Sequence, residues 1–142
     1  MLAKNWNERK VKYDVVVAGS GYGGAITAAR IASAPLNPKK SVCILERGRE
    51  WPVGQFPDTL LKASEHFRAP VTNPTGLFDF PLFKDIAVIK GCGLGGTSLI
   101  NANVAIIPDD DVFRQPGWPR SINRPLLQPY YDVARRMLAS RP

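Results

Sequence analysis

The chain has 142 residues, 44% of them hydrophobic and 22% charged, which suits one globular domain with a modest core. Nineteen Lys and Arg against twelve Asp and Glu leave a net charge of +7, but the cations are scattered and form no basic run, which argues against a nucleic-acid partner. No apolar stretch approaches the roughly eighteen residues of a membrane span. The polar, basic start MLAKNWNERKVK lacks the apolar core of a secretory signal, so the expected compartment is the cytoplasm.

Residues 1–12 read as a polar lead-in, followed by a single domain over 13–142. Tyr13 to Ala18 is expected to form a strand, its Val15-Val16-Val17-Ala18 run suited to burial in a parallel sheet. Gly19, Gly21 and Gly24 follow with the spacing G-x-G-x-x-G, and a small-residue helix is expected from Gly23 to about Ser33. Pro35 and Pro38 end it. A second strand, Ser41 to Glu46, closes on a carboxylate 22 residues past Gly24. Strand, glycine turn, helix, strand and acid in that order make the dinucleotide-binding fingerprint. Gly19 allows the sharp turn, Gly21 the approach of a diphosphate, and Gly24 close packing of the helix on the sheet. The first amides of that helix lack intrahelical partners and suit an anion, while Glu46 suits ribose hydroxyls. A ligand-free βαβ turn is the plainer alternative.

Beyond Glu46 the regular alternation stops. Pro52, Gly54 and Pro57 mark a loop, and a helix is expected over about Asp58 to Phe67, carrying the lone His66 as a structural residue. Residues 69–76 read as turns, and Leu77–Phe80 and Ile86–Ile89 as a hairpin around a bend at 81–85. The second glycine cluster, Gly91-Cys92-Gly93-Leu94-Gly95-Gly96, leads into Thr97, Ser98, Asn101 and Asn103. Its glycines permit close backbone approach to a ligand, and a hinge or a tight packing joint explains them equally well. Val104 to Ile107 reads as a strand, Asp109-Asp110-Asp111 as the cap of a short helix Val112–Gln115, and Trp118 as a buried indole. Pro125 to Ser140 is the last helix, with Pro129 expected at the start of its main part. Cys43 reads as a core residue and Cys92 as the more accessible thiol; no metal-ligand cluster is visible.

The segments YDVVVAGSGYGGAITAARIA, CILERGREWPVGQFPDT, GCGLGGTSLINANVAI and, more weakly, GWPRSINRPLLQPYYDVARRML resemble the N-terminal part of the glucose–methanol–choline (GMC) oxidoreductases. The likeness is strongest to their cholesterol-oxidase-like branch. ERGREWP paired with GLGGTSLINANV carries this resemblance more specifically than the first fingerprint does. It implies an α/β, Rossmann-like βαβ FAD-binding fold with a loop-rich insertion, as an incomplete fragment of a larger two-domain enzyme. It implies FAD as cofactor and a small-molecule alcohol as substrate, oxidised by hydride transfer to the flavin. Gly19, Ser20, Gly21, Tyr22, Gly23 and Gly24 would lie along the pyrophosphate, and Glu46 would hold the adenosine ribose with Arg47 close by. Gly95, Gly96, Thr97 and Ser98 would pass the flavin side, and Asn101, Ala102 and Val104 would lie against the isoalloxazine. Ala102 and Asn103 stand where cholesterol oxidases usually carry a glycine pair, which weakens a claim to a sterol. The family's proton-handling residues lie beyond this chain, so no catalytic residue is assigned. A nicotinamide-dependent dehydrogenase and a truncated, non-catalytic nucleotide-binding protein are the competing readings.

Overall fold

A computed structural model describes residues 2–102 and 104–139 as two compact units, 1–101 and 102–142. Strand β1 (Val15–Ala18) and strand β2 (Val42–Leu45) pair in parallel, with Val15 opposite Val42 and Ala18 opposite Leu45. Helix α1 (Tyr22–Ser33) crosses between them and packs on the pair, burying Ala28. This is the expected βαβ unit, with α1 starting one residue earlier and the strands confined to the apolar runs within the expected spans 13–18 and 41–46.

Side chains pin the register of the parallel pair at both ends. At the entry, Ser41 donates its backbone N–H and hydroxyl to Asp14 Oδ2, at 2.8 and 2.6 Å, while Asp14 N–H donates to Ser41 Oγ at 3.0 Å. At the exit, Gly19 N–H donates to Leu45 O at 2.8 Å, and Glu46 holds the turn as described below. A one-residue slip would break both clasps, so polar pairs fix what two short strands alone would leave loose. The pair is not buried on both faces: Val16 is 55% and Leu45 44% exposed.

After β2 the chain forms a strap, residues 46–51, and then helix α2 (Leu60–Glu65), N-capped by the Thr59 hydroxyl, which accepts from Lys62 N–H at 3.3 Å. His66 lies at the C-terminal end of α2, its ring set edge-on to Trp51 with centroids 5.1 Å apart. The expected hairpin forms in a different register: β3 (Phe78–Asp79) pairs antiparallel with β4 (Lys90–Gly91) rather than with 86–89. Charge pairing favours this alignment, because Asp79 then faces Lys90 across the ladder, with 3.4 Å between carboxylate and ammonium. The intervening segment closes on itself through a Leu82–Ala87 bridge. The second glycine cluster follows β4 and leads into a 3-10 helix, Gly96–Ile100.

In the second unit, the strand expected at 104–107 does not form: among the described residues this stretch has no regular structure and pairs with no strand. Helix α3 (Asp110–Arg114) begins two residues before the expected start. Asp109 occupies the N-cap position without making a side-chain cap bond. Asp110 and Asp111 instead pair with Arg124 and Arg114. Helix α4 (Arg124–Leu138) is capped by Asn123, whose side chain accepts from Leu126 N–H at 3.0 Å, and it runs straight through Pro129. With Pro125 in the first turn, the early cap starts the helix before Pro129, which therefore sits inside it rather than at its head. Phe113 is buried against the edge of Trp118, which is only half-buried and donates its indole N–H to Ile122 O. Among the described residues no helix is long and apolar enough to cross a membrane.

Candidate functional site

The exit of β1 turns at Gly19, whose φ of +89° is a backbone conformation that glycine adopts without strain. Directly after it, α1 begins without a side-chain cap, Gly21 being the N-cap residue. At that end Ala25 N–H donates to Gly21 O, at 2.9 Å, and the amides before it lack intrahelical partners at the positive end of the helix. Here the three motif glycines differ in what requires them. A Cβ on Gly24 would sit 2.1 Å from Gly19 O, so this glycine is demanded by the packing of the helix against its own turn. Gly21 has an ordinary φ of −62°, and a Cβ on it or on Gly23 would meet nothing within 4 Å. Among the described residues no contact explains a glycine at those two positions. Open space beside unpaired amides is the condition that a close-lying diphosphate requires.

Glu46 is held firmly. Its Oε2 accepts from Ser20 N–H at 2.9 Å and from the Ser20 hydroxyl at 2.6 Å, and its Oε1 accepts from Gly48 N–H at 2.8 Å. Partial burial pushes its pKa up, but the bonds from Gly48 and Ser20 outweigh that and hold the carboxyl below its ordinary value of 4.5. Glu46 is therefore ionised at neutral pH, with its remaining acceptor capacity toward the pocket.

The second glycine cluster packs directly on this turn. Ser20 Oγ accepts from Gly95 N–H at 2.9 Å, and a Cβ on Gly96 would come within 2.9 Å of Gly21 Cα. Asn101 Nδ2 donates to the Tyr22 hydroxyl at 2.5 Å. Three consecutive residues of the first turn are thus matched to three positions of the second. The strap braces the cluster from the other side: Leu94 N–H donates to Arg49 O at 3.0 Å, and the Trp51 indole donates to Cys92 O at 3.2 Å. Gly48 approaches so closely that a Cβ there would lie 2.4 Å from Gly93 N. Arg49 stacks on Trp51, 3.8 Å from the ring centroid. Here ERGREW and GCGLGG form one joint.

A pocket of about 410 Å³ opens where the two turns meet, within the usual range for a ligand site. Of the residues expected from sequence, Gly19, Ser20, Gly21, Glu46, Arg47, Gly96 and Thr97 line it. Tyr22, Gly23 and Gly24 head α1 beside it. Gly95 and Ser98 bond to one another, the Ser98 hydroxyl donating to Gly95 O at 2.8 Å, and Asn101 reaches Tyr22. Ala102 and Val104 belong to the second unit.

Sequence reasoning missed Lys90 and Cys92 in the lining. Lys90 had a legible signal, a cation immediately before a glycine cluster. Cys92, expected to be the accessible thiol, is buried at 3% exposure, because the Trp51 strap covers it; Cys43 is only half-buried. Asp79 was missed as well. Its carboxylate lies 3.0 Å from Arg47, 3.4 Å from Lys90 and 3.9 Å from Arg68. Burial pushes the Asp79 carboxyl up, but Lys90, Arg47 and Arg68 outweigh this and hold it below its ordinary value of 3.8. Asp79 thus gathers three cations, of which Arg47 and Lys90 line the pocket beside the Glu46 carboxylate. A groove of about 560 Å³ on the second unit is lined by Asp110, Arg114 and Arg124 among others; Arg124 pairs with Asp110 and Arg114 with Asp111.

No family model matches the chain, and no solved structure matches it. Curated relatives do. A cholesterol oxidase of Mycobacterium tuberculosis is 32% identical over 130 residues, covering 91% of this chain and 22% of that protein. A cholesterol oxidase of Acinetobacter baumannii is 28% identical over 127 residues, covering 89% of this chain and 22% of the relative. An uncharacterised GMC-type oxidoreductase of M. tuberculosis is 33% identical over 108 residues, 72% of this chain and 15% of that protein. The chain thus spans about a fifth of the length of the cholesterol oxidases it matches, at their N-terminal end. The shared segment contains both glycine clusters and the strap between them, and the chain's homologues are thus cholesterol oxidases and GMC-type oxidoreductases, of which it matches the N-terminal part.

Proposed function

We propose that this chain is the FAD-binding, Rossmann-like N-terminal portion of a GMC-type oxidoreductase that oxidises an alcohol, a sterol being one candidate substrate. The observation that carries the reading is the open space at Gly21 and Gly23 beside the uncapped start of α1, in a pocket that also holds Glu46. A chain that needed these glycines only for folding would fill that space. In this reading residues 13–142 act as one incomplete cofactor domain.

The amides at the head of α1 bind the diphosphate, and Glu46 accepts from ribose hydroxyls while Ser20 and Gly48 fix its orientation. Arg47 and Lys90 add positive charge where a dianionic diphosphate enters. Gly95, Gly96, Thr97 and Ser98 serve the flavin side; Asn101, Ala102 and Val104 come to the isoalloxazine face on the family resemblance alone. Bound flavin supplies the hydride acceptor. The chain's own residues bind and orient it, and the proton-handling groups belong to a part of the enzyme that aligns outside this segment. Free thiols at Cys43 and Cys92 support a reducing, cytoplasmic setting.

Titration of the purified chain with FAD, ADP and NAD⁺, followed by flavin fluorescence and calorimetry, tests the proposal. Saturable binding of FAD and ADP, abolished by Gly21→Val in a protein that still melts cooperatively, is the expected result. Preference for NAD⁺ over FAD would overturn the flavin assignment, and undiminished FAD binding by Gly21→Val would overturn the placement of the diphosphate.

A further inference from the structure

Ser20 is the buried polar residue of the first unit, 3% exposed, and its hydroxyl does not point at the pocket alone. It donates to Glu46 Oε2 at 2.6 Å and accepts from Gly95 N–H at 2.9 Å. A second acceptor, Gly93 O, stands 3.4 Å away. A serine hydroxyl has one proton, and where that proton points decides where its lone pairs point. While Glu46 is ionised, the charge-assisted bond to the carboxylate takes the proton and leaves a lone pair for Gly95. Without that charge the competition with Gly93 O changes, and the lone pair is no longer held toward Gly95.

We propose that Ser20 is a positioning residue that transmits the state of the Glu46 carboxylate to the second glycine cluster, so that one hydroxyl keeps the two halves of the site in register. Gly95 immediately precedes the 3-10 helix that carries Thr97 into the pocket lining, so a shift at Gly95 moves a wall of the site. A ligand hydroxyl bound at Glu46 is thereby felt at the other glycine cluster. The relevance of this coupling to cofactor assembly rests on the flavin reading above; the coupling itself is a property of the chain without ligand.

The charged and titratable groups facing Glu46 are Arg47 from the strap, Lys90 from β4 and the Cys92 thiol, while β1 and its turn contribute none to the lining. Asp79, bonded to Arg47 and Lys90, is the nearby second carboxylate through which acid could act. The bonds from Ser20 are among those that lower the Glu46 pKa, consistent with a hydroxyl that senses the carboxylate's charge.

NMR titration of the unliganded chain is the test, with Glu46 followed by its own side-chain carboxyl ¹³C signal and Gly95 by its amide. The Gly95 amide should titrate together with Glu46, not with Asp79. In Ser20→Ala the Gly95 amide should lose that titration, the Glu46 midpoint should rise, and Gly95 hydrogen exchange should accelerate about tenfold for the loss of one hydrogen bond. Ser20→Thr, which keeps the hydroxyl, should restore the titration. Glu46→Gln should speed Gly95 exchange by a smaller factor, and the double variant should match Ser20→Ala, since the two act in series. Should Ser20→Ala fail to fold, the wild-type titration and Glu46→Gln carry the test. A Gly95 amide indifferent to Glu46 ionisation, or effects that simply add, would overturn the inference. Coupling without FAD binding would sustain it and sink the flavin reading; FAD binding without coupling would do the reverse.

Discussion

A methyl group placed on Gly21 would meet nothing within 4 Å, whereas one placed on Gly96 would sit 2.9 Å from Gly21 Cα. The first glycine cluster, Gly19–Gly24, is open toward the pocket, and only Gly24 is required by packing within the chain. The second, Gly91–Gly96, is closed on itself and on its neighbours: a Cβ on Gly93 would lie 2.6 Å from Trp51 Cδ1, and one on Gly91 would lie 2.7 Å from Gly96 O. Both clusters read alike as sequence, yet one keeps space for something outside the chain and the other removes space between parts of it. Glycine richness near a nucleotide fingerprint therefore does not by itself mean ligand contact. The second cluster reaches the pocket through Gly91, Cys92, Gly96 and Thr97, while Gly93 serves the joint with the strap and Gly96 the joint with the first turn.

The largest effect that would sharpen this contrast is at the joint. Gly48→Ala forces a methyl into the backbone of Gly93 and Cys92, where there is no flexible side chain to move aside, and should cost about 3 kcal/mol or more in chemical denaturation. Gly96→Ala comes next, combining a φ of +61° with the close approach to Gly21, and should cost about 2 kcal/mol. If either variant proved as stable as the parent, the second cluster would not be a packing joint. Gly21→Ala should behave in the opposite way. Stability should change by no more than about 1 kcal/mol, the ordinary range for an N-cap substitution. FAD affinity should fall at least about tenfold, because the methyl occupies the space at the head of α1. Equal losses of stability and affinity would erase the distinction between the clusters.

The smallest effect is the response to acid. Glu46 and Asp79 both have folded pKa values below their ordinary 4.5 and 3.8, so their stabilisation is present above those values. It is lost as pH falls through the lower folded values, where protonation of the native state becomes necessary. Thermal melts should accordingly shift to lower temperature on acidification below about pH 4.5, with no matching loss on the alkaline side from these two groups. Glu46→Gln should flatten part of that slope. A slope unchanged in Glu46→Gln would mean that Asp79 and other carboxylates account for all of it.

Local chemistry made much of this legible before any coordinates. The βαβ unit followed from an apolar run, a glycine turn, an alanine-rich helix and a second apolar run, each of which specifies its own geometry. Five of the expected site residues, Gly19, Ser20, Gly21, Glu46 and Arg47, line one pocket for the same reason, since the turn and the strand tip are neighbours by topology. What could not be read depended on pairing between distant segments. The β3–β4 register rests on Asp79 meeting Lys90, eleven positions apart, and no periodicity encodes that choice. Cys92 is buried because Trp51, forty-one residues earlier, reaches across to its carbonyl. The supposed strand at 104–107 had strand composition without a neighbour to pair with. Asn123 was a readable cap signal, a polar residue just before an Arg-Pro helix start, and its recognition would have placed Pro129 inside α4.

The Trp51 arrangement also makes the joint visible to light. Trp6 is 65% exposed, Trp118 is half-buried, and Trp51 is 6% exposed beneath a stacked guanidinium and beside an imidazole edge. Its emission should form the blue, collisionally shielded part of the intrinsic fluorescence, while that of Trp6 is red and open to quenchers. Any event that lifts the strap from the second glycine cluster breaks the indole bond to Cys92 O and sends that component toward the red. The chain thus carries its own optical gauge of whether its strap is held to the second glycine cluster.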